Sequence, residues 1–143
     1  PKAPDPNADM GIHRFTYALM PHFGPYNWAG VVQAAQALNA PLHSKFAAKD
    51  GVGKGECKPL LVCEDRNIIV ESVKKAEASD ATIIRLYEAH NSRGSAELSC
   101  SRRIKSAHLC DLMENKVASL EIHEGVVQFD YKPFEIITIM LVT

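Results

Sequence analysis

The chain has 143 residues, a length that suits one domain, and 46% of them are apolar, enough to build a real core. A formal net charge of −1 gives neither nucleic acid nor an anionic membrane an electrostatic reason to bind. The longest apolar run, IITIMLV at 136–142, is strand-length and far short of a bilayer span.

Residues 1–8, PKAPDPNA, hold three prolines and no apolar stretch, so they read as a linker and not as a secretory signal. A first residue that is Pro and not Met suggests processing or excision, and excision from a longer chain is the expectation. From 12 to 20 the sequence alternates. His13, Phe15, Tyr17 and Leu19 point one way; Ile12, Arg14, Thr16, Ala18 and Met20 point the other. Period two with aromatic residues predicts a strand, which Pro21 stops. GPY then turns the chain into NWAGVVQAAQALNAP. Trp28, Val31, Val32, Ala35 and Leu38 share one face at helical spacing. Asn27 is placed to cap that helix, and Asn39 with Pro41 to end it.

No period runs through 43–59. KDGVGKGECK reads as a flexible loop, because the spacing of a phosphate-binding loop is absent and no helix pattern follows. After Pro59 come short β runs: LLVC (60–63), NIIVESVKKAE (67–77), TIIRLYEAH (82–90), AELSCS (96–101), IKSAHLCDLM (104–113), VASLEI (117–122), VVQFDY (126–131) and FEIITIMLV (134–142). The run at 104–113 reads as a strand, with a short helix as its alternative. Turn residues such as ASD, NSRG, ENK, EG and KP separate these runs. The pattern predicts a mainly β protein, an antiparallel β-sandwich with one short helix near the N-terminus. The last run is apolar on both faces, which predicts a central strand beginning after Pro133 and covered on both sides.

Chemistry is sparse. His13, His22, His43, His90, His108 and His123 show no metal spacing, and H-E-x-x-H is absent. His13 and His22 flank the aromatic strand and are candidates to line a groove. EIHEG gathers Glu121, His123 and Glu124 beside a turn with no second cluster. Cys57, Cys63, Cys100 and Cys110 form no C-x-x-C and read as free thiols of a reducing compartment. No nucleophile signature and no strand-end carboxylate pair stands out. The most suggestive cluster is RLYEAH. Arg85 and Tyr87 share a strand face and Glu88 takes the other. Arg85 beside an aromatic ring can hydrogen-bond a polyol, or it can serve an interface or cross-strand pair.

Six ordered segments carry a resemblance: DMGIHRFTYALMPHFG, AGVVQAAQALNAPL, VESVKKAEAS, IIRLYEAH, LCDLME and PFEIITIMLV. Together they resemble the C-terminal region of glycoside hydrolase family thirty-eight, the α-mannosidases, and FTYALMPH, RLYEAH and LCDLME look closest to its cytosolic branch. The match is weakest at 43–59 and 91–103. The resemblance implies that 9–143 form a C-terminal β-sandwich domain (galactose-mutarotase-like or Ig-like) of a cytoplasmic, retaining enzyme that trims oligomannose. It implies that a barrel-like catalytic domain and a helical domain of the parent chain are the partners. It places the divalent metal (zinc or cobalt), the nucleophile and the acid/base there, with no catalytic or metal residue in this segment and Arg85 as the one candidate for the substrate rim. A stand-alone carbohydrate-binding or protein-interaction sandwich is the alternative. Its mark would be an exposed aromatic platform, and Trp28, placed on the helix's apolar face, speaks against one.

Overall fold

Turn residues set the boundaries of nearly every β element. A computed structural model of the chain describes residues 9–44 and 58–143. The linker expected at 1–8, Cys57 and most of the loop expected at 43–59 lie outside the described residues. Among these residues one helix, α1 (Val31–Asn39), precedes nine strands. These are β1 (Leu61–Cys63), β2 (Ile68–Lys75), β3 (Thr82–Glu88), β4 (Gly94–Cys100) and β5 (Ser106–Cys110). They continue with β6 (Lys116–Leu120), β7 (Ile122–His123), β8 (Val126–Tyr131) and β9 (Ile136–Val142).

The strands form two antiparallel sheets. One has the order β1-β4-β8-β7, the other β2-β3-β9-β5-β6. Period-two burial drives the packing. Ile84, Leu86, Ile137, Ile139 and Leu141 of the larger sheet meet Leu98, Val127, Phe129 and Tyr131 of the smaller one. The expected β-sandwich with one short helix is therefore present. The run at 104–113 is a strand, as read. VASLEI, read as one strand, is split: β6 pairs with β5 in one sheet and β7 with β8 in the other, so the chain changes sheets at Glu121.

β9 is central, between β3 and β5. It is buried on both faces from Ile137 to Leu141, as its sequence predicts. Much of the outer cover comes from the chain itself. Met140 packs with Ala76, Ala81, Ile83 and Cys110. Lys74 of β2 reaches Glu114 in the β5–β6 connection at 2.7 Å. Arg85 of β3 reaches the Leu112 carbonyl in the same connection at 2.8 Å. The other end stays open, with Phe134 63% and Ile136 64% exposed.

Two expectations near the N-terminus fail. The helix does not begin at Asn27. Tyr26 to Gly30 form turns, with the Trp28 amide donating to the Pro25 carbonyl at 3.0 Å. Gly30 sits at φ 71 in the left-handed region, so helical dihedrals cannot run through it, and no side chain caps the start. Trp28 therefore lies before the helix and is 77% exposed, not on its apolar face. The C-terminal end is as read: Asn39 donates its side-chain amide to the Ala35 carbonyl. The strand expected at 12–20 is also absent. That segment forms no ladder among the described residues: β1, β7, β2 and β6 are the edge strands of the two sheets, and it pairs with none of them.

Candidate functional site

Alternation along β3 sends Arg85 and Tyr87 outward and Leu86 and Glu88 inward. Their neighbour β2 carries a bulge between Val70 and Ser72 that leaves Glu71 without a cross-strand partner. The result is a groove of about 690 Å³ over the outer face of the larger sheet. Val32 of α1, Leu112, Phe134 and Ile136 supply apolar walls, and Glu71, Arg85 and Tyr87 the polar groups. Helix α1 borders it. Gln33 and Gln36 hold the helix there by donating to the carbonyls of Arg66 and Val70, at 3.1 and 2.9 Å.

Arg85 stands in one row with Thr138 of β9 and Cys110 of β5. Its side chain crosses β9 over Thr138 to reach the Leu112 carbonyl. Its Nε is shut off from solvent and has no acceptor among the described residues. Burial pushes the Tyr87 hydroxyl above its ordinary value, and the Glu71 charge adds to the rise. At neutral pH the groove thus offers a neutral phenol, an exposed carboxylate and a partly satisfied guanidinium on an apolar floor. These groups can hydrogen-bond a ligand, and none of them is an activated nucleophile.

Glu88 is the inward surprise. Its carboxylate is 1% exposed. One oxygen accepts the His90 amide at 2.8 Å and the other the Phe134 amide at 2.9 Å. Burial pushes this carboxyl up, but the amides of Phe134, His90, Ser92 and Asn91 outweigh it and hold the group below its ordinary value. Asn91 and Phe134 both have positive φ, 58 and 54, so the carboxylate clamps two left-handed residues on neighbouring turns. A carboxylate saturated by backbone donors holds structure. Sequence reasoning placed Glu88 on the strand face opposite Arg85 and Tyr87 without seeing this role; its alternation with the inward Leu86 was the available signal. His90 was read only as one of six histidines. It is buried and stacks on Tyr26 with ring centroids 5.8 Å apart.

The remaining candidates do not converge. His13 and His22 are exposed, and the His13 Nε2 lies 3.0 Å from the Asp9 carbonyl oxygen. His123 and Glu121 form an exposed pair at 3.1 Å. Cys63, Cys100 and Cys110 form no disulfide among the described residues. Among the described residues no three His, Cys, Asp or Glu side chains stand together as a metal donor set, so a divalent ion finds no fit here.

Residues 67–139 match the family model described as "Glycosyl hydrolases family 38 C-terminal beta sandwich domain". The chain belongs to glycoside hydrolase family 38. The matched stretch runs from the residue before β2 into β9 and includes Arg85, Tyr87 and Glu88. The chain is 37% identical to "Alpha-mannosidase 2C1" of Homo sapiens over 147 residues, an alignment covering 99% of this chain and 14% of that protein. Identity and coverage are the same for "Alpha-mannosidase 2C1" of Mus musculus. With "Alpha-mannosidase G" of Dictyostelium discoideum the identity is 26% over 100% of this chain and 14% of that protein. The family 38 sandwich described here thus spans about one seventh of the length of these relatives.

Proposed function

We propose that this chain is the C-terminal β domain of a longer retaining α-mannosidase that trims free or glycoprotein-derived oligomannose in the cytoplasm. The supporting observation is the alignment of nearly the whole chain with α-mannosidases about seven times as long. In this reading the domain is accessory. It contributes folded surface to the catalytic and helical parts of the parent, and the metal-assisted glycosidic chemistry takes place there. Retaining hydrolysis needs two carboxylates about 5–5.5 Å apart, one free to attack and one to pass a proton. Glu88, occupied by backbone amides, is not available for either task. In this reading a divalent ion, zinc or cobalt, belongs to the catalytic part.

Arg85 is assigned to the rim of the parent's substrate groove, where its half-buried guanidinium reaches a sugar hydroxyl. Arg85→Ala in the parent then weakens hydrolysis of oligosaccharides more than that of small aryl mannosides. Equal losses on both would make it purely structural.

The experiment for the main reading compares aryl α-mannoside turnover by the parent and by this chain, each with added zinc or cobalt. Turnover by the parent alone is the expected result; metal uptake with turnover by the 143-residue chain overturns it. The exposed ring of Trp28 favours a second reading, a carbohydrate-binding module. The rings of Phe15 and Tyr17 count against it, since they tilt by 34° and form no flat platform. Saturable mannose or oligomannose binding by this chain would favour the module.

A further inference from the structure

We propose that residues 12–20 are a donated strand, which completes a β-sheet in the part of the parent chain preceding this domain. The proposal rests on the reading above, that the chain is one portion of a longer mannosidase.

Three observations carry it. First, the segment has the composition of a half-buried strand but makes no ladder among the described residues. Ile12, Phe15, Tyr17 and Leu19 are 92, 81, 83 and 93% exposed. Side chains of this size each gain roughly 1.5–3 kcal/mol on full burial, and a row of them beside unpaired amides is a template for strand addition. Second, the segment is tethered where it leaves the sandwich. Tyr26 stacks on the buried His90, and Gln33 and Gln36 pin α1 to β2 and the residues before it. The strand is thus presented from a fixed point. Third, the alignment with the mannosidases covers 99% of this chain and only 14% of the human protein, so the segment lies within the shared region of a far longer chain.

The alternation says what the partner looks like. It is a sheet edge with open backbone groups whose apolar face takes Phe15, Tyr17 and Leu19. Arg14 and Thr16 then lie on the other, wetter face.

Hydrogen–deuterium exchange tests this on the full-length parent and on this chain at low concentration. The peptide covering 12–20 exchanges near its free rate in this chain and on the order of 100-fold slower in the parent. Phe15→Ser with Tyr17→Ser in the parent removes that slowing, while the same pair leaves the sandwich of this chain protected as before. Fast exchange at 12–20 in a parent that hydrolyses mannosides overturns the donated strand and leaves the functional reading intact. Slow exchange in a parent without turnover supports the strand and overturns the function. Protection that appears in this chain alone and grows with its concentration makes a second copy the partner, and overturns the proposal.

Discussion

The Arg85 guanidinium donates from Nη2 to the Leu112 carbonyl at 2.8 Å, across the central strand of the larger sheet. This one bond ties β3 to the β5–β6 connection and closes the outer face of β9 over Thr138, which is 2% exposed. Leu112 is exposed, so water can replace the guanidinium at its carbonyl, and the bond contributes about 0.5–1.5 kcal/mol net. Arg85→Ala is therefore expected to lower the stability of this chain by about 1 kcal/mol. Arg85→Lys should recover only part, because one ammonium cannot copy the planar fork. Urea melts of the three proteins decide it: an Ala variant within error of the native chain contradicts the strap.

Glu88 gives the fold an acid-sensitive point. Its folded-state carboxyl lies below the ordinary value of 4.5. A depressed carboxyl stabilises the fold above its unfolded value, and that contribution is lost as pH falls through the folded value. Urea midpoints of the native chain should thus be flat near neutrality and fall below about pH 4.5. Glu88→Ala leaves several buried amides without an acceptor. It should cost about 3–5 kcal/mol at pH 7 and show a shallower acid slope. An unchanged slope in the variant would assign the acid sensitivity to other carboxylates.

Gly94 tests the packing between β4 and β8. A Cβ there would sit 2.7 Å from the Tyr131 hydroxyl, which donates to Asp65 at 2.9 Å and accepts from the Asn67 side chain at 3.0 Å. Gly94→Ala should cost about 1–3 kcal/mol through overpacking. Removing the hydroxyl by Tyr131→Phe should make the second substitution cheaper. Strict additivity in the double-mutant cycle would show that the two do not meet.

The cysteines are expected to be thiols. Burial pushes the Cys63 and Cys110 thiols above their ordinary value, so both should react slowly in the folded chain at pH 8. Titration under denaturing, non-reducing conditions should count all four cysteines of the sequence. A count of zero would mean disulfides and an oxidising compartment, and would weigh against the cytoplasmic reading.

What the sequence made legible follows from where each signal originates. β3, β8 and β9 were readable because period-two burial and local turn chemistry agree there. The two-sided apolarity of IITIMLV even placed β9 in the middle of a sheet. The helix start was missed because Gly30 breaks the dihedral run that the apolar spacing suggested. The clamp at Glu88 depends on amides from Phe134, which no local pattern around RLYEAH reveals. Residues 12–20 carry a strand pattern that pairs with no strand among the described residues, so the pattern and the structure diverge. The Arg85–Leu112 bond likewise joins residues 27 positions apart and became visible only through the sheet order.

The central claim is that this domain braces a mannosidase without supplying its chemistry. β9 tests it most directly, since Ile137, Ile139 and Leu141 fill the core at 3, 0 and 1% exposure and none is a catalytic group. The strand's buried side chains, at about 1.5–3 kcal/mol each, rival the net stability of about 5–15 kcal/mol typical of a domain. The decisive measurement is kcat/KM for an aryl α-mannoside with the full-length parent and with the parent lacking residues 134–143. The account predicts that the truncated parent loses soluble folding of this domain and nearly all turnover. A soluble truncated parent with near-normal kcat/KM would contradict it.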